Sequence, residues 1–116
     1  MRHHNNVRKF GREKNQRHAL MKSLAYSLLV EEKMVTTLAK AKELRPYMEK
    51  LVTKSKENNL SAKKLIFARI GYSNASKKLF STIAPKYSDR SGGYLRITRL
   101  PVRLSDSAEM AQIEFV

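Results

Sequence analysis

A chain of 116 residues has room for a single domain with a small core. Its 24 Lys and Arg against 10 Asp and Glu leave a net charge of +14 at pH 7, a self-repulsion that opposes compaction and points to a polyanionic partner, nucleic acid ahead of an anionic membrane surface. The absence of cysteine excludes disulfides, thiolate metal sites and Cys nucleophiles, and no apolar run approaches the roughly 20 residues of a spanning helix, so no membrane partner is expected.

The first 22 residues, MRHHNNVRKFGREKNQRHALMK, hold seven basic side chains (Arg2, Arg8, Lys9, Arg12, Lys14, Arg17, Lys22), all three histidines (His3, His4, His18) and one acid, Glu13. Only Val7 and Phe10 interrupt the polar run before Ala19. Residues 1–14 are therefore expected to form a basic, disordered RNA-binding N-terminal arm ahead of one globular domain over 15–116, because so few apolar groups cannot offset the entropy of ordering. The basic stretch leads into an amphipathic segment with no cleavage pattern, unlike a secretory signal.

Leu20, Leu24 and Leu28, with Met21 and Ala25 beside them, predict a helix from about Asn15 to Glu32. KMVTT, short and β-branched, reads as a strand. Thr37 is placed to cap a second helix whose stripe is Ala41, Leu44, Met48, Leu51 and Val52, with Pro46 expected to kink it or split off its first turn. After the ENNLS loop, Ser61 is read as the cap of a third helix carrying Ile66, Phe67 and Ile70, ended by Gly71. Asn74 opens a fourth, with Leu79, Phe80 and Ile83 inward, expected to stop at Ala84-Pro85. YLRITRL and AQIEF alternate, which is the period of half-buried strands, and should pair antiparallel with KMVTT at an edge. The expected fold is thus α/β (α+β type): about four helices on a small mixed sheet of two or three strands.

Chemistry-bearing constellations are sparse. Adjacent histidines on a flexible tail do not preorganise a metal geometry, and the scattered acids supply no general acid-base pair, so no metal, cofactor, small-molecule substrate or catalysis is expected. SGGYLR offers more: Gly92 and Gly93 allow positive φ or a close approach to phosphate, Arg90 and Arg96 supply charge, and Tyr94 presents a ring for base or sugar stacking. With Arg99 and Arg103 further along, this turn is expected to extend a basic surface. The last twelve residues, SDSAEMAQIEFV, hold three acids and no base, so the positive charge is segregated.

MRH at 1–3, FGR at 10–12, RHAL at 17–20, SLLVEE at 27–32, TTLAKAKELRP at 36–46, KLF at 78–80, GGYLRI at 92–97 and AQIE at 111–114 follow one another as in the bacterial large-subunit ribosomal protein number seventeen family, which the chain resembles over its whole length. Two departures from the family pattern stand at Val30-Glu31 and at Ser105-Asp106. The resemblance implies a structural constituent of the cytoplasmic ribosome, bound to large-subunit ribosomal RNA near the exit of the peptide tunnel and touching neighbouring ribosomal proteins. On that expectation the RNA-binding residues are the basic and histidine side chains of the first 22 residues together with Arg90, Gly92, Gly93, Tyr94, Arg96, Arg99 and Arg103. The rival readings are a nucleoid-type DNA-binding protein and a nuclease using His18 with Glu13 or Asp89.

Overall fold

The computed structural model describes residues 8–71 and 73–116. Helix α1 spans Lys14–Glu31, entered through Glu13, whose N–H donates to Gln16 Oε1 at 3.2 Å and so gains a partner at a helix end that lacks one. Glu32 turns to φ +66° and passes the chain to β1, Lys33–Thr37. Thr37 Oγ1 then accepts from the Lys40 N–H at 3.4 Å and starts α2, Leu38–Ser55. Of the kink or split expected at Pro46, the split does not occur: α2 runs through the proline as one element. Core residues lie on both sides of the proline, Leu38, Ala41 and Leu44 before it and Met48, Leu51 and Val52 after it, and burying both groups outweighs the one hydrogen bond the ring removes.

Helix α3, Leu60–Ile70, is capped by Asn59 rather than by the expected Ser61. Asn59 Oδ1 accepts from the Ala62 N–H at 2.7 Å, three residues on, and this places Ser61 inside the first turn. Gly71 ends it at φ +81°. Helix α4, Asn74–Lys78, does not stop at Ala84-Pro85 either. It continues through a π-helical segment, Leu79–Ile83, into α5, Ala84–Lys86. The Ala84 N–H reaches back five residues to the Leu79 carbonyl, and Pro85 enters in the first turn of a new segment, where its missing N–H costs little.

Strands β2, Leu95–Leu100, and β3, Met110–Phe115, complete a sheet of order β1-β3-β2 with both pairings antiparallel; the sheet expected to be mixed is antiparallel throughout. Met34, Ile113 and Ile97 stand in one row across it, as Leu95 does beside Phe115. Helix α2 packs on all three strands, so one face of the sheet is covered and the other meets solvent. Between the two layers Leu28, Leu44, Met48, Val52, Ile66, Leu79 and Ile113 are fully enclosed. At the far edge Tyr87 donates to the Val116 carbonyl at 2.6 Å and packs against Tyr94, ring centroids 5.1 Å apart, closing the core where the last strand ends.

Candidate nucleic-acid interface

Cations gather where α1, α2 and α3 diverge. A cleft of about 580 Å³ opens there, floored by Phe10, Met21, Tyr47 and Leu51, with the exposed Leu65 at its edge, and rimmed by Arg8, Arg17, His18, Lys50, Lys54 and Arg69. Its single acid, Glu43, is already paired with Arg8 at 2.8 Å. A second hollow adjoins it, sharing His18, Met21, Tyr47 and Arg69 and adding Lys22. Helical geometry explains the clustering: Arg17, His18, Met21 and Lys22 fall at i, i+1, i+4 and i+5 on α1, and Pro46, Tyr47, Lys50, Leu51 and Lys54 fall on one side of α2. Burial raises the Tyr47 phenol above its ordinary pKa, and the Arg69 guanidinium pulls it the other way. Lys22 lies against the end of α3, its Nζ 3.7 Å from the point a Cβ on Gly71 would occupy, which suits a cation at the carbonyl end of a helix.

The expected N-terminal arm divides in two. Arg2, His3 and His4 lie outside the described residues. Residues 8–13 form a turn, with Phe10 at φ +54° and Gly11 at φ +63°, tied to the body by the Arg8–Glu43 pair and by Arg17 Nη1 donating to the Arg12 carbonyl at 2.8 Å. Lys9 and Arg12 project from that turn; Lys14 is the first residue of α1, and all three are exposed. Of the expected RNA-binding residues, Arg8, Arg17, His18 and Lys22 are brought together at the two hollows.

The glycine turn and strand surface are arranged differently from expectation. Tyr94 is fully buried: its hydroxyl lies 3.0 Å from Thr53 Oγ1 and its ring rests on Tyr87, so it presents no face to a base. Gly93 does adopt positive φ, +67°, but its N–H donates to Glu49 Oε2 at 3.2 Å, which puts a carboxylate where a phosphate was anticipated. Gly92 has no positive φ and open space beside it. Arg96 and Arg99 are three apart on β2 and therefore point to opposite faces, so they do not form one basic row. Arg96 stands 3.7 Å from Glu114 across the sheet, and Arg103 clasps Asp106 through two bonds of 2.9 and 2.7 Å. The Arg90 guanidinium lies over the Tyr87 ring, 5.4 Å from its centroid.

Tyr47, Lys50, Lys54 and Arg69 were not among the expected site residues, because read singly they look like the solvated faces of amphipathic helices. The spacing of Tyr47, Lys50 and Lys54 on α2 was the available signal; Arg69, on α3, carried none. Among the described residues no three His, Asp or Glu side chains stand together as metal ligands, and no helix is long and apolar enough to cross a membrane.

A family model described as "Ribosomal protein L17" matches residues 20–116. Among curated relatives, the large ribosomal subunit protein bL17 of Wolinella succinogenes is 48% identical over 116 residues, with all of both chains covered. That of Mesorhizobium japonicum is 50% identical over all of this chain and 81% of its own, and that of Campylobacter jejuni is 47% identical over all of this chain and 99% of its own. A match of this extent makes the chain a member of the ribosomal protein L17 family.

Proposed function

We propose that the protein is a structural constituent of the large ribosomal subunit that binds large-subunit ribosomal RNA, through the cationic cleft between α1, α2 and α3 and the basic residues N-terminal to it. The observation that carries this reading is the convergence at the cleft of Arg17, Lys50 and Arg69, none of them in a salt bridge among the described residues, beside Arg8 and Lys54, which are paired with Glu43 and Glu57, in a chain whose relatives are named as large-subunit proteins. Phosphate contacts of this kind supply affinity and position without reading sequence, and a side-chain cleft suits irregular RNA better than the deep, narrow major groove of an A-form helix. No reaction is assigned to it.

The loop between β2 and β3 suits a protein neighbour. It is braced by the Arg103–Asp106 clasp, by the Ser107 N–H donating to the Arg103 carbonyl at 2.8 Å and by the Arg103 N–H donating to that of Ala108 at 2.9 Å. It holds Leu104 wholly exposed beside Asp106 and Glu109, a poor surface for RNA and a good one for a basic protein. The family resemblance supports a position near the peptide-tunnel exit. Sedimentation of cell extract tests the assignment: the protein travels with the large subunit, in the cytoplasm, and crosslinks to its RNA. Sedimentation with DNA would support a nucleoid role instead, and recovery with neither would refute both.

A further inference from the structure

Resting on that reading, we infer that the cleft seats an unpaired nucleobase of the RNA, stacked on Tyr47, with the cations around it holding the flanking phosphates. Three observations carry this. The cleft, at about 580 Å³, is of the size of sites that enclose a small ligand, which run from about 300 to 1,000 Å³. Its floor is apolar and aromatic while its rim is cationic, the two chemistries that a base and its phosphates require and that a phosphate alone does not. The half-buried Tyr47 is held on α2 and packed against the core, whereas Tyr94, in the turn before β2, is enclosed. A protein partner for the same cleft would have to be acidic. A flat duplex would reach the rim cations and leave the floor in water.

The probes are a hexa-adenylate RNA and a six-residue abasic RNA with the same number of phosphates, titrated at equal salt with the full-length protein. The expected result is tighter binding of the base-bearing strand, by about 5- to 150-fold for one stacked base. Tyr47→Leu, which keeps bulk against the core, should abolish that preference while leaving affinity for the abasic strand unchanged, and Tyr47→Phe should retain it. Should Tyr47→Leu fail to fold, the wild-type protein still decides: the Tyr47 ring resonances should shift with hexa-adenylate and not with the abasic strand. Equal binding of the two strands, or a preference that survives Tyr47→Leu, would overturn the base site and leave ribosomal RNA binding standing. Binding of neither strand, nor of ribosomal RNA, would bring down the functional reading itself. Contacts between the Tyr47 ring and residues 1–7 in the free protein, undisplaced by hexa-adenylate, would make the cleft the seat of the chain's own N-terminus and overturn the proposal.

Discussion

Tyr94 ties three parts of the chain together. Its hydroxyl sits 3.0 Å from Thr53 Oγ1 and 3.2 Å from Lys56 Nζ, and donates to the Arg90 carbonyl at 3.3 Å, which Lys56 also reaches. Tyr94→Phe keeps the ring against Tyr87 and removes these bonds, so it should lower stability by about 1 kcal/mol, with the partners able to turn to water. RNA affinity should not change. Thermal melting and RNA titration check both, and weakened RNA binding at unchanged stability would mean that the hydroxyl touches RNA after all. At Asp106 the Arg103 guanidinium and the Ala108 N–H hold the carboxyl well below its ordinary value, to about 2. A depressed carboxyl stabilises the fold above its unfolded pKa and loses that contribution as pH falls, so the loop clasp should hold at neutral pH and release between about pH 4 and pH 2. NMR titration of Asp106 reads this directly; titration near 4 would show that the clasp does not persist in solution.

At the level of elements, the turn into β2 separates its two glycines. Gly93 sits at φ +67° and Gly92 does not, so Gly93→Ala should cost about 1–2 kcal/mol from left-handed strain, while Gly92→Ala, with open space beside it, should be close to neutral. Equal melting temperatures for the two variants would contradict the turn geometry. Leu79, fully buried where the π-helical segment begins, should cost about 2–5 kcal/mol on replacement by Ala, and urea denaturation measures it. Much of this was legible beforehand. The strands show in their alternation, α2 in its apolar stripe, and the end of α3 in Gly71, because these signals are local. The Asn59 cap was missed because Asn59 and Ser61 are both good caps two residues apart, and only the backbone path chooses between them. The passage through Pro85 was missed because the wider π turn that admits the ring leaves no composition signal. Tyr94 was misplaced because a tyrosine beside a glycine turn looks exposed until Tyr87 and Thr53, distant in sequence, close over it.

Across the whole molecule, charge is organised by how the helices diverge. Arg17, Lys50 and Arg69 come from three helices to one cleft, a convergence that no single stretch of sequence displays, while Arg96 and Arg103, expected on the RNA side, are paired with Glu114 and Asp106. The cleft, and not the strand surface, should therefore dominate the electrostatics of RNA binding. The most direct test is the salt dependence of affinity for large-subunit ribosomal RNA, compared between the wild-type protein and a triple variant, Arg17→Gln, Lys50→Gln and Arg69→Gln. Each phosphate contact contributes roughly 0.7 to 0.9 to the slope of log affinity against log salt, so the triple variant should show a slope shallower by about 2. Lys50 and Arg69 are exposed, and loss of the Arg17 bond to the Arg12 carbonyl should loosen only the 8–13 turn, so the melting temperature should fall little. A slope equal to that of the wild-type protein would show that the cleft does not contact RNA phosphate, and would contradict the account.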